Sequence, residues 1–174
     1  MTGQLWYTAL VVAVGAERLA ELRISLRHAR WAFARGGIER GQAHYPWMVV
    51  LHVGLLAGCL AEVWLLDRPF VALLGWPMLA LALGSQALRW WCIATLGRRW
   101  NTRVIVVPGL PLVERGPYRF TSHPNYVAVV VEGVALPLVH SAWLTAVAFS
   151  AANAGLLAVR IRCENAALRE AAPA

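Results

Sequence analysis

Residues 46–66 read PWMVVLHVGLLAGCLAEVWLL. At about 1.5 Å per residue this stretch reaches across the ~30 Å of hydrocarbon in a bilayer. Its only acidic or basic side chains are His52 and, near one end, Glu62. A run this long and apolar predicts a transmembrane helix, and the rest of the chain agrees. Of its 174 residues 59% are hydrophobic and 14% charged, with a mean hydropathy of +0.55. A soluble domain carries about 45–50% apolar and about 25% charged residues.

Working outward, residues 5–22, 69–95, 125–139 and 142–159 supply four more apolar segments. The 69–95 segment holds Pro77, where a kink is expected, and an Arg89-Trp90-Trp91 cluster suited to an interface. The last two form a helical hairpin turned by residues 137–141. The predicted fold is all-α: a polytopic membrane helical bundle of about five transmembrane helices in one domain, 1–174, divided into N-terminal helices (1–95) and a second half (96–174). Between these halves lies a polar interval, 96–124, with a short extended piece over Thr102 to Val107 bounded by Pro108-Gly109 and Pro111. No soluble catalytic domain fits there, so any chemistry must be built from helix ends and loops.

The sixteen basic residues are all arginine, and the formal net charge is +7. Thirteen of them lie on one side of the predicted spans, in the stretches 23–40, 98–119 and 160–169, and only Arg68 lies on the other. The positive-inside tendency puts that richer side, with the C-terminus, in the cytoplasm and the N-terminus outside. Arginines clustered between apolar runs reflect topology, so no nucleic acid partner is expected. Cys59, Cys92 and Cys163 show no metal-like spacing, and neither a disulfide nor a metal site is expected. The N-terminus lacks a basic n-region, so the first segment is expected to remain in the mature protein.

Two further stretches carry polar groups that a helix entry does not need. Residues 116–133 read GPYRFTSHPNYVAVVVEG. Gly116-Pro117 signals a turn, Ser122 or His123 can cap a helix, and Pro124 suits its first turn. Read plainly, this is a capped entry into the membrane with His123 and Tyr126 at the interface. Glu132 goes beyond that reading. It lies about two turns into the apolar helix, on the face of Pro124, Asn125 and Ala128, where an ionised carboxylate needs a partner; Arg160 and Arg162 are candidates. Residues 160–170, RIRCENAALRE, continue the last helix out of the membrane, and arginine–glutamate pairing on a solvated face would account for them. Glu17, Arg18 and Glu21 read as an internal pair in the first helix. His52 and Glu62 read as a pair facing the bundle, and the tryptophans mostly mark interfaces.

GPYRFTSHPNYVA followed some thirty residues later by RIRCENAAL resembles the isoprenylcysteine carboxyl methyltransferase family and its bacterial and phospholipid methyltransferase relatives. The shared pattern is a Gly-Pro-Tyr turn, an Arg-His-Pro-x-Tyr-x-Gly helix mouth and an Arg-(x)-Glu-Glu-x-x-Leu motif after the last hairpin. Ser122 departs from the usual arginine, Ala128 from the glycine and Asn165 from the second glutamate.

The resemblance implies S-adenosyl-L-methionine bound between the cytoplasmic ends of the last helices and the C-terminal tail, in the membrane that bounds the cytoplasm, with a lipophilic or lipid-like acceptor arriving from the surrounding membrane lipids. By motif it assigns Tyr118, His123, Pro124, Tyr126, Arg162 and Glu164 to cofactor binding. For the acceptor, Arg119 or Arg160 would orient a carboxylate, while Glu132 or His123 would serve as base toward a phenol, whose ordinary pKa is about 10. The arginine-only, Ala/Leu/Gly-rich composition reads as that of a high-GC bacterium, which favours a lipid-like phenol or polyketide, or another small lipophilic acid, over a prenylated protein. Phospholipid N-methylation is the alternative within the same chemistry. A small transporter or assembly protein is the alternative outside it.

Overall fold

The computed structural model describes residues 2–171; the expected domain also takes in Met1 and residues 172–174, which lie outside the described residues. Five helices form the bundle: α1 (Thr2–Phe33), α2 (Tyr45–Leu65), α3 (Ala72–Leu96), α4 (Pro124–Leu138) and α5 (Trp143–Ala171). The helical prediction holds. Two three-residue strands, β1 (Ile38–Arg40) and β2 (Val104–Val106), pair antiparallel with Glu39 opposite Ile105. The sequence pointed to β2; its partner β1 was not expected.

Residues Gln42–Leu65, which are α2 with the 3₁₀ turn that leads into it, and α5 are long and apolar enough to cross a membrane. Only 22% of each apolar window is buried by the rest of the protein. Such exposure suits lipid contact rather than the core of a soluble domain. Helix α4 is apolar but only 15 residues long, and α1 and α3 have the length with more polar groups along it.

α4 is the central helix, packed chiefly between α3 and α5. Its close approach to α5 depends on Gly133, where an added Cβ would stand 2.1 Å from the Phe149 ring. The core gathers Tyr7 and Val11 of α1, Leu55 and Cys59 of α2, Val129 and Leu136 of α4, and Phe149 of α5. The Tyr7 hydroxyl donates to the Leu136 carbonyl at 3.0 Å, so the tyrosine is buried with its polar tip satisfied. Pro137 lies in the last turn of α4, and Val139–Ala142 turn the chain into α5, as the hairpin reading anticipated.

Helix α1 is the main difference from expectation. It runs eleven residues past Leu22, to Phe33. Its buried stripe steps through Tyr7, Val11, Val14, Glu21, Ser25, Ala29 and Ala32 at helical spacing. The stripe is continuous, but its chemistry turns from apolar to polar after Val14.

That turn is matched by a polar cluster inside the bundle. Glu132 accepts from Arg89 Nη2 at 2.5 Å, from Arg18 Nη2 at 3.1 Å and from Gln86 Nε2 at 3.2 Å. Glu21 accepts from Arg18 Nη1 at 2.6 Å, and its other oxygen lies 3.6 Å from Arg89 Nε. Two arginines thus face two carboxylates among three helices. The acid anticipated on the inward face of α4 is there, at 3% exposure, but its partners are Arg18 and Arg89 rather than Arg160 or Arg162. The Arg18–Glu21 pair forms as expected, whereas Glu17 accepts instead from the Trp90 indole.

At the opposite end, Glu62 does not pair with His52. Its carboxylate accepts the backbone N–H groups of Leu144 at 3.1 Å and Thr145 at 2.7 Å, the Thr145 hydroxyl at 2.9 Å and Arg68 Nε at 3.0 Å. A glutamate of α2 thereby caps α5, satisfying donors that the first turn of a helix leaves free. His52 bonds the Met48 carbonyl of its own helix and packs edge-on to Phe149.

Candidate active site

The two motifs meet where α4 begins and α5 leaves the apolar core. The Gly-Pro-Tyr turn is a short 3₁₀ turn, Gly116–Arg119. Gly116 has φ +59°, and a Cβ there would strike the Thr95 hydroxyl at 2.5 Å, so both the conformation and the space call for glycine. Pro124 opens α4, and His123 takes the N-cap position without its side chain capping the helix. The ring of His123 is turned instead onto Tyr126, stacked at 5.3 Å between centroids with 22° between planes.

Tyr126 joins the halves. Its hydroxyl donates to Glu164 Oε2 of α5 and accepts from Arg160 Nε at 2.8 Å. His123 Nδ1 lies 3.9 Å from Glu164 Oε1, and His123 Nε2 bonds Asn165 Oδ1 at 3.0 Å. Asn165, the departure from the expected second glutamate, therefore keeps an acceptor on the histidine. Arg160 is 6% exposed: Nη2 donates to the Thr102 carbonyl at 2.5 Å and Nη1 faces Met48 Sδ at 2.9 Å. It positions the Tyr126 hydroxyl, each of its three nitrogens having one partner.

These groups line a cavity of about 540 Å³, inside the ~300–1,000 Å³ range of small-molecule sites. Of the nine residues anticipated from the sequence, Tyr118, Arg119, His123, Tyr126, Arg160 and Glu164 border it; Pro124, Glu132 and Arg162 do not. Pro124 is buried behind it at the helix start, Arg162 lies on the exposed face of α5, and Glu132 is occupied in the cluster below. A role for Glu132 as a base toward the acceptor is inconsistent with that placement.

The remaining wall comes from the loop after α3 and from the extension of α1. Trp100, at 3% exposure, is buried in it, and its carbonyl accepts from His28 Nδ1 at 2.8 Å. It is a wall residue rather than the interface marker expected of it, and Trp31 of α1 borders the cavity too. Asn125 Oδ1 is buried in the lining with no partner of its own. Burial pushes the Tyr118 hydroxyl well above the ordinary phenol range, with the Cys92 thiol beside it adding to the effect, so Tyr118 is a neutral hydroxyl at physiological pH. Sequence reasoning missed Trp31, Trp100 and Asn125. The only signal for Asn125 was its place on the inward face of α4.

An all-helical membrane protein with a largely apolar cavity, into which tyrosines and a glutamate bring polar groups, at the mouth of its last hairpin is the class that this geometry defines. The chain belongs to the isoprenylcysteine carboxyl methyltransferase (ICMT) family, whose model matches residues 78–170, a span holding both motifs and the helices α4 and α5. Members of that family are methyltransferases. The chain is 38% identical to the protein YpbQ of Bacillus subtilis over 92% of its own length and 95% of that protein's. It is 26% identical to a protein of Haemophilus influenzae over 91% and 92% of the two chains. Both relatives are described only as uncharacterized.

Proposed function

We propose that the protein is an integral-membrane methyltransferase that uses S-adenosyl-L-methionine to O-methylate a lipophilic acceptor, a carboxylate or a phenol. The observation that carries this reading is the joining of the two motifs, His123 and Tyr126 on α4 with Arg160, Glu164 and Asn165 on α5, at one wall of a ligand-sized cavity. In this reading five helices span the cytoplasmic membrane and the cavity opens on the cytoplasmic side, which the thirteen-to-one distribution of arginines supports. The whole chain acts as one domain, with residues 96–174 as its catalytic half.

The residues present suit that cofactor. Glu164 and the unpartnered Asn125 Oδ1 offer acceptors for an ammonium group, and Tyr118 and Tyr126 offer aromatic faces and hydroxyls. When bound, S-adenosylmethionine supplies an electrophilic methyl group. The chain's own part is alignment: Arg160 and Glu164 fix the Tyr126 hydroxyl between them, and Asn165 fixes the His123 ring. Positioning of this kind supplies much of the rate in a displacement that needs donor and acceptor in line. Pro124 contributes by starting α4 at the cavity edge.

On the acceptor side the wall holds Arg98, Arg99, Arg103, Arg119 and Arg160 against Glu114 and Glu164. Arg103 is paired with Glu39 at 3.2 Å and Arg99 with the Pro111 carbonyl at 2.6 Å, whereas Arg119 lies over the Phe120 ring at 4.3 Å. A cationic wall favours an acceptor that reacts as an oxyanion and disfavours the cationic product of phospholipid N-methylation.

Titration of the detergent-purified protein with S-adenosylhomocysteine tests the reading. Saturable binding, weakened at least about tenfold or 1.4 kcal/mol by Glu164→Ala, is expected. No binding by the folded wild type would overturn it and leave a transporter or assembly role.

A further inference from the structure

Ser25 lies on the cytoplasmic extension of α1, far in sequence from either motif, and is 1% exposed. A serine hydroxyl can donate once and accept twice. Here all three capacities are used. Ser25 Oγ donates to Asn101 Oδ1 at 2.7 Å, accepts the Thr102 backbone N–H at 3.0 Å and meets Thr102 Oγ1, which must then be the donor, at 2.8 Å. The Ser25 carbonyl also accepts from Asn101 Nδ2 at 3.2 Å.

Four contacts to two consecutive residues fix this loop to α1. Asn101 and Arg103, on either side of Thr102, form part of the cavity wall. The Thr102 carbonyl is the acceptor for Arg160 Nη2, and Arg160 Nε donates to the Tyr126 hydroxyl. Ser25 is thus two residues removed from the tyrosine that joins the motifs.

We infer that Ser25 is a positioning residue for the cofactor site: its hydroxyl latches the Asn101–Thr102 loop so that the Thr102 carbonyl holds Arg160, and through it Tyr126, in the binding geometry. The inference rests on the methyltransferase reading above and extends it to a helix outside both motifs. Loss of the hydroxyl leaves the Thr102 N–H without its acceptor and Asn101 Oδ1 with only the Arg103 N–H at 3.1 Å, and water entering to satisfy the Thr102 N–H would move the loop.

The test compares wild type, Ser25→Ala and Thr102→Val for S-adenosylhomocysteine affinity and thermal midpoint. Val14→Ala, on the same buried stripe of α1 but away from the loop, controls for general destabilisation. Titrations are made well below every midpoint. Ser25→Ala is expected to weaken binding at least about fivefold, with Thr102→Val, which removes one of the four contacts, in the same direction by a smaller factor. Val14→Ala should lower the midpoint and leave affinity unchanged. Faster hydrogen exchange in residues 100–106 of Ser25→Ala, before any ligand is added, is the accompanying expectation. Should Ser25→Ala not fold, Thr102→Val decides alone. Wild-type affinity in the serine variant, or an equal loss in Val14→Ala, overturns the latch while the methyltransferase reading stands. No binding by folded wild type overturns both.

Discussion

Arg89 Nη2 and Glu132 Oε2 stand 2.5 Å apart in the middle of the bundle, each residue no more than 4% exposed. The pair joins α3 to α4, and Arg18 brings in α1 by reaching the same carboxylate at 3.1 Å. Removing Glu132 leaves two arginines facing a single remaining acid, Glu21. Breaking a buried pair in this way costs about 3–5 kcal/mol, because the surviving charge stays desolvated. Glu132→Ala is accordingly expected to lower the thermal midpoint in detergent sharply, with Glu132→Gln between it and wild type. Because Glu132 lies outside the cavity lining, the fraction of Glu132→Gln that folds should bind S-adenosylhomocysteine within about twofold of wild type. A stable Glu132→Ala protein that has lost binding would return the residue to the chemistry.

Asn165 stands where the resemblance led a second glutamate to be expected, yet it holds His123 Nε2 at 3.0 Å. The contact fixes the ring that stacks on Tyr126. One neutral hydrogen bond contributes roughly 1 kcal/mol, or about fivefold in affinity. Asn165→Ala should weaken S-adenosylhomocysteine binding by that factor. Asn165→Glu should retain it, since a carboxylate oxygen can accept the same proton. Unchanged affinity in the alanine variant would mean that the histidine ring is held by Tyr126 alone.

Much of this architecture was legible because its signals are local. The apolar run at 46–66, the hairpin turned at 137–141 and the helical register of 160–170 each follow from composition or spacing over one or two dozen residues. The inward face of α4 was legible for the same reason, since Pro124, Ala128 and Glu132 fall together on any helix with 3.6 residues per turn. What could not be read was pairing between distant segments. Glu132 had several arginines to choose from, and nothing local favours Arg89 over Arg160; packing of α3 against α4 decides it. The length of α1 was missed because its inward stripe becomes the half-buried Arg18 and the buried Glu21 and Ser25, residues that resemble a solvated surface until their partners on α3, α4 and the Asn101–Thr102 loop are known. Within the site, the motif residues were visible from their resemblance to a family, whereas Trp31, Trp100 and Asn125 belong to no motif and enter the cavity wall only through the fold.

At the other end of the bundle, Glu62 of α2 caps α5 with three accepted bonds from Leu144 and Thr145 and a fourth from Arg68. Glu62→Ala leaves the part-buried Leu144 and Thr145 N–H groups without their acceptor, at up to about 1–3 kcal/mol for such a group. Arg68 is more exposed, at 29% of its side chain, and pairs of that kind contribute about 0–1 kcal/mol. Thermal unfolding should therefore rank Glu62→Ala well below Arg68→Ala, and Glu62→Asp between them if the shorter side chain keeps one backbone bond. Neither change should affect cofactor-site affinity, because the cap lies at the far end of α5 from Glu164. Equal midpoints for the glutamate and arginine variants would show that the carboxylate serves the ion pair and not the helix.

Tyr118 gives a pH-dependent prediction outside the spanning segments. Burial raises its hydroxyl pKa above the phenol value of about 10 that the unfolded chain would show. Below that pH both states keep the proton, and the group adds no slope to stability. Above it the unfolded state loses the proton first while the folded state retains it, so alkali favours unfolding and the stability associated with the buried neutral hydroxyl falls as pH rises. Wild-type protein should thus lose thermal midpoint between about pH 9.5 and about pH 11 more steeply than Tyr118→Phe, which has no proton to lose. The same burial predicts that binding of S-adenosylhomocysteine shows no alkaline limb from Tyr118 below about pH 10. A binding loss near pH 9 that Tyr118→Phe abolishes would mean that the hydroxyl ionises in the folded protein and that its surroundings are open to water.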